Sequence, residues 1–280
     1  MKETKIAILG GGNIGLAIMN GLTEAKICLP QDISITKRNI KPLLYLKRQR
    51  INVSSDNISS VKKSSIILIA VQPQQINGIL DEIKNYIIPE VHTVISVVSG
   101  ATISAIKNRL PAGTAVVRAM PNTAIAIKES MTCLSSESGN EKALKNAVEI
   151  FNAVGKTMII NEELMIPATA LCACGIAFFL RAIRAASQGG IEIGFHSEEA
   201  LLMASQTAKG AAALLLDMKS HPESEVDKVT TPRGCTISGL NQMEHNGFSS
   251  AMIKGIVTSA DKAALLYKNT ELEPSPYRKQ

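Results

Sequence analysis

The feature that most constrains the fold is a glycine-rich turn near the start of the chain. An apolar run at residues 4–9 leads directly into Gly10, Gly12 and Gly15, and residues 14–22 then carry apolar side chains at helical spacing. Gly10 allows a tight turn, Gly12 lets the main chain approach a phosphate at the helix N-terminus, and Gly15 permits close packing of helix on strand. This order of strand, glycine turn and helix predicts the first unit of a dinucleotide-binding sheet.

The rest of the first half alternates between strand and helix patterns. Apolar runs predict strands at 33–36, 65–71, 93–98, 114–120, 131–135 and 156–160, and helical patterns fall at 40–48, 75–86 and 140–152. After Asn161 the chain changes to apolar, alanine-rich helices at about 162–190, 196–219 and 231–268. We therefore expect an α/β fold: an N-terminal Rossmann-type doubly wound sheet (1–161), a C-terminal all-helical domain (162–270) and a flexible tail (271–280).

The end of the second predicted strand indicates which dinucleotide binds. An enzyme specific for NAD usually places an acidic side chain there, on the ribose hydroxyls. This chain has Lys37, Arg38 and Asn39 instead. Cationic groups suit a 2′-phosphate, so the sequence predicts NADPH, with NADH bound more weakly. The alternative is that both charges are solvated loop residues.

Two further turns follow predicted strands, at the sheet edge where ligands bind in open α/β sheets. One contains Ala70, Val71 and Pro73, and the other contains Asn122. Taken singly, each turn is more often structural than functional. The complete predicted cofactor set is Gly10, Gly12, Asn13, Ile14, Gly15, Lys37, Arg38, Asn39, Asn57, Ala70, Val71, Pro73 and Asn122.

Composition disfavours several other classes of protein. The net charge of +6 could suit nucleic acid, but aromatic residues make up 3% and tryptophan is absent, so stacking surfaces are scarce. Five cysteines without a CxxC pair, and a start without a basic leader, predict a reduced cytoplasmic protein with no metal site. The apolar segment 164–180 approaches membrane-span length, but we expect a core or interface helix.

Several motifs, taken in order, resemble those of the pyrroline-5-carboxylate reductase family. They are ILGGGNIG, AVQPQ, SVVSG, MPNT, ATALCACGIAF and, most specific of all, VTTPRGCTISGL at 229–240. The resemblance covers residues 3–268. It implies a dinucleotide-binding domain followed by a helical dimerisation domain, and NADPH-dependent reduction of the cyclic imine 1-pyrroline-5-carboxylate to L-proline.

The resemblance also implies a substrate site in the loop before the helix that contains Thr236. Thr231 or its neighbour Thr230, followed by Pro232, is expected to begin the helix, with the amides of Gly234, Cys235 and Thr236 holding the substrate carboxylate. Thr236 is the expected catalytic residue, because its hydroxyl matches the threonine that contacts the substrate nitrogen. A protonated imine needs no strong acid, so positioning can supply much of the rate. Arg233 stands where the family usually has glycine.

Two alternatives stay open. A β-hydroxyacid dehydrogenase has a similar two-domain plan, but it needs a catalytic lysine on the first long helix, and the residues after Gly175 are apolar. The other alternative is an NADP-binding sensor without catalysis. The apolar helical domain predicts a homodimer or higher homo-oligomer, with the active site shared between the dinucleotide domain of one subunit and helices contributed by another. We expect neither nucleic acid nor membrane as a partner.

Overall fold

The computed structural model describes residues 4–272, with side chains described through residue 265. One eight-stranded sheet dominates the first half of the chain, and its strands run in the spatial order 3-2-1-4-5-6-7-8. All neighbouring strands are parallel except the sixth and seventh, which are antiparallel. The strands are β1 Ile6–Leu9, β2 Ile33–Thr36, β3 Asn52–Ser54, β4 Ile66–Ile69, β5 Thr93–Ser96, β6 Ala115–Met120, β7 Ser130–Ser136 and β8 Gly155–Ile159.

Helices cover both faces of this sheet, and every element of the described chain after β8 is helical. The predicted helix at 40–48 is a 3-10 helix, Lys41–Gln49, and Thr169–Cys174 forms a π-helical turn. The α-helices are α1 Asn13–Glu24, α2 Asn57–Lys62, α3 Ile76–Ile83, α4 Ile103–Lys107, α5 Glu141–Asn152, α6 Met165–Ala168, α7 Gly175–Glu192, α8 Ser197–Met218, α9 Pro222–Val229, α10 Cys235–His245 and α11 Phe248–Leu272.

The sheet is buried on both faces, which explains its continuous apolar strands. In β1, Ile6 and Ile8 pack into a core with α1 and α5, whereas Ala7 and Leu9 pack into a second core with α3 and α4. Alternate residues of a strand point to opposite faces, so a strand covered on both sides must be apolar throughout. The predicted doubly wound sheet is confirmed.

The chain divides by its contacts into two compact units, residues 1–173 with 260–280 and residues 174–259. The first division lies twelve residues beyond the one predicted at Asn161. The intervening segment belongs to the sheet unit because Met165 is fully buried against Met120 and Cys133. Of the predicted flexible tail, residues 271 and 272 close α11, and the remainder lies outside the described residues.

The second unit is helical, and few of its described residues are buried. Helices α7 and α8 pack closely, since a Cβ on Gly190 would lie 3.0 Å from the Cβ of Ala200. Within 174–259 only Gly175, Ser187 and Ala200 are buried. Large apolar side chains stay exposed on these helices, among them Phe179, Leu180, Ile193, Leu202, Leu216, Met218, Ile253 and Val257.

The prediction of a single helix at 231–268 is wrong. The segment contains two helices, α10 and α11, separated at Asn246 and Gly247, because Gly247 adopts a φ of 78° that ends the helical path. Helix α9 was not predicted. It begins at Pro222, after His221, whose ring nitrogen accepts a hydrogen bond from the Glu223 amide.

One stretch of the described chain, Glu162–Glu192, is long and apolar enough to cross a bilayer by length and composition alone. Its most apolar part has a mean hydropathy of 1.9, and 17% of that window is buried. The same properties characterise a helix that packs against a second protein copy, so this stretch does not by itself indicate a membrane.

Candidate active site

The glycine turn is fixed to the neighbouring strands by its own backbone. The amides of Gly10 and Gly11 both donate to the carbonyl of Thr36, at 3.2 and 2.8 Å. Gly10 has a φ of 121°, and a Cβ there would lie 2.2 Å from the Ala70 carbonyl oxygen. A Cβ on Gly15 would lie 2.1 Å from the Gly10 carbonyl oxygen. The structure therefore requires glycine at positions 10 and 15 to bring α1 against the sheet.

Gly12 differs, because nothing lies within 4 Å of the position that a Cβ would occupy. It is the N-cap of α1, and no side chain caps that helix. Among the described residues, the amides of Asn13 and Ile14 have no backbone acceptor; the first helical bond is donated by Leu16 to the Gly12 carbonyl. An uncapped N-terminus with open space above a glycine has the donors and the room that a pyrophosphate needs.

Two cations follow β2 directly, beside this turn. Lys37 is half-buried, and its amide donates to the Ser54 carbonyl at 3.1 Å, whereas Arg38 is exposed. Neither forms an ion pair with a carboxylate in the described part of the chain. The side chain of Asn39 accepts a hydrogen bond from the Lys41 amide at 3.1 Å and so shapes the loop. Both charges are therefore available to an anionic ligand.

Asn57 begins α2 and connects the end of β2 to α3. The hydroxyl of Thr36 donates to Asn57 Oδ1 at 2.6 Å, and Asn57 Nδ2 donates to Glu82 Oε2 at 2.9 Å. The Asn57 amide is thereby held in one orientation. Sequence reasoning missed Glu82, which lies 25 positions away on an exposed helix face and has no local motif.

The turn after β4 is shaped by a backbone hydrogen bond and a proline. The Ala70 amide donates to the Leu9 carbonyl at 2.8 Å, Val71 follows it half-buried, and Pro73 begins a 3-10 turn.

Asn122, after β6, is buried with all its polar groups engaged. Its amide donates to Ser130 Oγ, its Oδ1 accepts from the Ala124 amide, and its Nδ2 donates to the Cys172 carbonyl at 3.2 Å. Its observed role is to fix the turn, and its contact with a cofactor stays a prediction.

The loop between α9 and α10 differs from the expected helix start. Thr230 closes α9, with its hydroxyl donating to the Val226 carbonyl, and the next helix begins at Cys235. The prediction that the helix begins at Thr230 or Thr231 is wrong, because Arg233 adopts a left-handed φ of 60° and ends any helical path. The Gly234 amide donates to the Thr231 carbonyl at 2.9 Å, so it is not free for a ligand.

Two donors remain open at the start of α10. Gly234 is the N-cap without a capping side chain, and the amides of Cys235 and Thr236 have no backbone acceptor within residues 4–272. Cys235 is exposed and Thr236 is half-buried. A helix N-terminus of this kind attracts a carboxylate through its free amides and its dipole.

Comparison with known proteins identifies the family. Residues 162–266 match the family model described as pyrroline-5-carboxylate reductase dimerisation, and residues 5–100 match NADP oxidoreductase coenzyme F420-dependent. Pyrroline-5-carboxylate reductase 2 of Dictyostelium discoideum is 48% identical over 94% of this chain and 94% of its own length. The chain belongs to the pyrroline-5-carboxylate reductase family.

Other similar proteins agree with this membership. Pyrroline-5-carboxylate reductase 1 of Dictyostelium discoideum is 54% identical over 95% of the chain, which spans half the length of that relative. The crystal structure of Plasmodium falciparum pyrroline carboxylate reductase with NADP bound is 25% identical, covers 94% of this chain and 98% of its own, and has a TM-score of 0.83. The predicted resemblance is confirmed.

The family also accounts for the exposed apolar helices. The dimerisation match spans the helical region, in which Leu202, Leu216 and Ile253 are each more than 60% exposed in the single chain. Exposed apolar surface in a region that matches a dimerisation model is typical of surface that packs against another copy of the chain. This member of the reductase family is therefore a homo-oligomer.

Proposed function

We propose that the protein reduces 1-pyrroline-5-carboxylate to L-proline with NADPH, the last step of proline biosynthesis. The observation that carries the proposal is the 48% identity with a pyrroline-5-carboxylate reductase over nearly the full length of both chains. The open N-terminus of α1 supports the choice of a phosphate-bearing dinucleotide, as do Lys37 and Arg38 after β2, which have no carboxylate partner among the described residues.

The sheet unit contributes the groups that hold the cofactor. The Asn13 and Ile14 amides would bind the pyrophosphate over Gly12, and Lys37 and Arg38 would bind the 2′-phosphate. Asn57, held by Thr36 and Glu82, would present a fixed amide to the adjacent ribose. When bound, NADPH supplies the hydride for the imine carbon.

The start of α10 contributes the groups that would hold the substrate. The Cys235 and Thr236 amides would bind the carboxylate, while Gly234 and Thr231 hold the loop in shape. The Thr236 hydroxyl would steer the ring nitrogen. A protonated imine is already electrophilic, so this loop needs no general acid.

A direct assay tests the activity. The purified full chain is mixed with NADPH and 1-pyrroline-5-carboxylate, and the loss of NADPH absorbance is compared with the proline formed. We expect one proline for each NADPH consumed. Nucleotide binding without proline formation would instead favour the sensor alternative.

A threonine series tests the substrate half of the site. Thr236→Val removes the hydroxyl at constant shape, and Thr236→Ser keeps it. We expect a large loss of kcat in the first variant and recovery in the second, with NADPH affinity unchanged in both. Equal activity of the valine variant and the parent would remove Thr236 from the mechanism.

A charge series tests the cofactor half. The double variant Lys37→Ala/Arg38→Ala should raise the KM for NADPH, because one hydrogen bond to a charged group contributes roughly 1.5–3 kcal/mol, while the KM for NADH stays the same. The matched control is Lys47→Ala/Arg48→Ala, which removes the same charges from an exposed pair in the 3-10 helix. If both cofactors weaken equally in the first variant, the 2′-phosphate assignment fails.

A further inference from the structure

Two cysteines distant in sequence meet in a small sulfur-rich cluster of the sheet unit. Cys133 lies on β7, paired in register with Met120 on β6, and is 4% exposed. Met165 is fully buried in the same cluster, and Cys172, in the π-helical turn after α6, packs against it. Cys133 and Cys172 thus share one cluster, with their thiols near enough to interact.

This contact shifts the pKa values of the two thiols in opposite directions. The hydrogen bond from Cys133 is the main cause that lowers the pKa of Cys172, to about 7, against the opposing effect of burial. The same hydrogen bond, followed by burial, raises the pKa of Cys133. The thiolate is the reactive form of cysteine, so the lower pKa favours Cys172 as the nucleophile of the pair. Cys172 is also the more accessible of the two.

We propose that Cys133 and Cys172 are a modification site, at which a hydroperoxide converts the two thiols into a reversible intramolecular disulfide. The Cys172 thiolate attacks one peroxide oxygen, the O–O bond breaks, and the products are Cys172 sulfenic acid and hydroxide. The Cys133 sulfur then displaces the sulfenic oxygen as water, its proton leaving with it. Overall, two thiols lose two electrons, and one hydrogen peroxide is reduced to two waters.

The disulfide would act on the turn that holds Asn122. To form a disulfide, the two sulfur atoms must come together to about 2.05 Å. Cys172 lies in the π-helical turn, and its carbonyl accepts the hydrogen bond from Asn122 Nδ2. Oxidation therefore displaces a carbonyl that fixes the turn after β6. The resulting loss of NADPH affinity rests on the proposed function, whereas formation of the disulfide does not.

The other cysteines provide internal controls. Burial raises the pKa of the Cys28 thiol to about 11, and Cys28 is 3% exposed, so it should resist oxidation. Cys174 lies two positions beyond Cys172 and shares none of its contacts with the buried cluster. Cys174→Ser is therefore the matched control for Cys172→Ser.

The first experiment measures the bond itself. The reduced full chain is treated with hydrogen peroxide, denatured, alkylated and analysed by intact mass and peptide mapping. We expect loss of two alkylation sites and a linked peptide pair containing Cys133 and Cys172, both reversed by dithiothreitol. A Cys172 sulfenic or sulfinic acid beside a fully alkylated Cys133, or linkage of Cys172 to another cysteine, overturns the proposal.

Variants then separate the two roles. Cys133→Ser should leave a Cys172 sulfenic acid that dimedone traps, Cys172→Ser should leave Cys133 reduced, and Cys174→Ser should form the disulfide as the parent does. Disulfide formation in Cys172→Ser would overturn the assignment. Because the wild-type measurement needs no variant, poor folding of one variant leaves the test intact.

The second experiment measures NADPH binding by nucleotide fluorescence before and after oxidation. We expect weaker binding by the oxidised protein, restored by dithiothreitol and absent in Cys172→Ser. Unchanged binding by the oxidised wild type, with the disulfide present, would overturn the coupling to Asn122. Failure of the reduced protein to bind NADPH at all would instead count against the proposed function.

Discussion

Gly12 offers a substitution that should separate cofactor binding from folding. The residue has φ and ψ of −93° and −170°, an extended conformation that any residue adopts, and a Cβ there would meet no protein atom within 4 Å. Folding therefore tolerates Gly12→Ala, with a cost of about 0.5 kcal/mol, because alanine is a poorer N-cap than glycine. The same methyl group would occupy the space above the helix N-terminus that a pyrophosphate needs.

The expected effect of Gly12→Ala is a loss of affinity for the cofactor. Moving the phosphate away from the Asn13 and Ile14 amides weakens hydrogen bonds to a charged group, each worth roughly 1.5–3 kcal/mol. Loss of one such bond corresponds to a roughly 10- to 100-fold rise in the Kd for NADPH.

Two other glycines serve as controls. Gly15→Ala should destabilise the fold by about 1–3 kcal/mol or more, because its Cβ would lie 2.1 Å from the Gly10 carbonyl oxygen. Gly78→Ala, at an exposed and unobstructed position within α3, should stabilise the fold by about 0.5–1 kcal/mol and leave the Kd unchanged.

The assay pairs NADPH titration with urea unfolding of the same protein preparations. Gly12→Ala should lower the free energy of unfolding by no more than about 0.5 kcal/mol and lose affinity for NADPH, whereas Gly78→Ala should keep the affinity. A Gly12→Ala variant that binds NADPH with the parent Kd would refute the placement of the pyrophosphate over this turn. If Gly12→Ala unfolds as easily as Gly15→Ala, the argument that the space beside Gly12 is open would be refuted.

Three further predictions concern stability and assembly. Glu162→Gln removes the charge that lies 3.3 Å from the guanidinium of Arg118, whose side chain is 3% exposed. The free energy of unfolding measured in urea should therefore fall by about 2–3 kcal/mol. A change within error would mean that the ion pair contributes little to stability. His92 is buried, and burial lowers its pKa from 6.5. Because the pKa is lower in the folded state, this contribution to stability is complete above pH 6.5 and is lost as the pH falls through the folded pKa. His92→Gln should therefore flatten the dependence of the urea midpoint on pH between about 7.5 and 5.5. An unchanged slope would contradict this. Leu202 is 71% exposed in the single chain, so Leu202→Lys should weaken assembly by about 1.5–3 kcal/mol per copy. Light scattering at low concentration should show a smaller mass for this variant, while Leu202→Met keeps the mass of the parent. An unchanged mass for the lysine variant would place the interface elsewhere.

The sheet could be predicted from the sequence because its signal is local. Strand β2 was predicted with its observed bounds, and β1, β4 and β5 were found within two residues at each end, since strands covered on both faces are continuous apolar runs. Strand β3, Asn52–Ser54, was missed. It has three residues and lies at the edge of the sheet, where one side of the strand needs no apolar partner.

The candidate site was also predictable only where its signal is local. The glycine turn and the pair of cations after β2 are each a short run of sequence, and their order along the chain indicated a dinucleotide site. The contact of Asn57 with Glu82 and that of Cys133 with Cys172 join residues 25 and 39 positions apart, and neither has a periodic pattern. Such contacts depend on how strands and helices pack, which a pattern along one chain does not specify.

Glycine is the N-cap of both α1 and α10, but the structural reason differs between the two helices. At Gly12 nothing lies within 4 Å of the position of a Cβ, so folding does not require glycine there, and a need for glycine would come from the proposed cofactor. At Gly234 a Cβ would lie 2.5 Å from Thr231 Oγ1 and 3.0 Å from the Thr231 carbonyl oxygen, so the loop itself requires glycine. A Gly234→Ala variant would therefore disturb the loop and any bound carboxylate together, and its loss of activity could not be assigned to either. Only at α1 can a single methyl group distinguish binding from folding, whereas at α10 the distinction must come from the Thr236 hydroxyl.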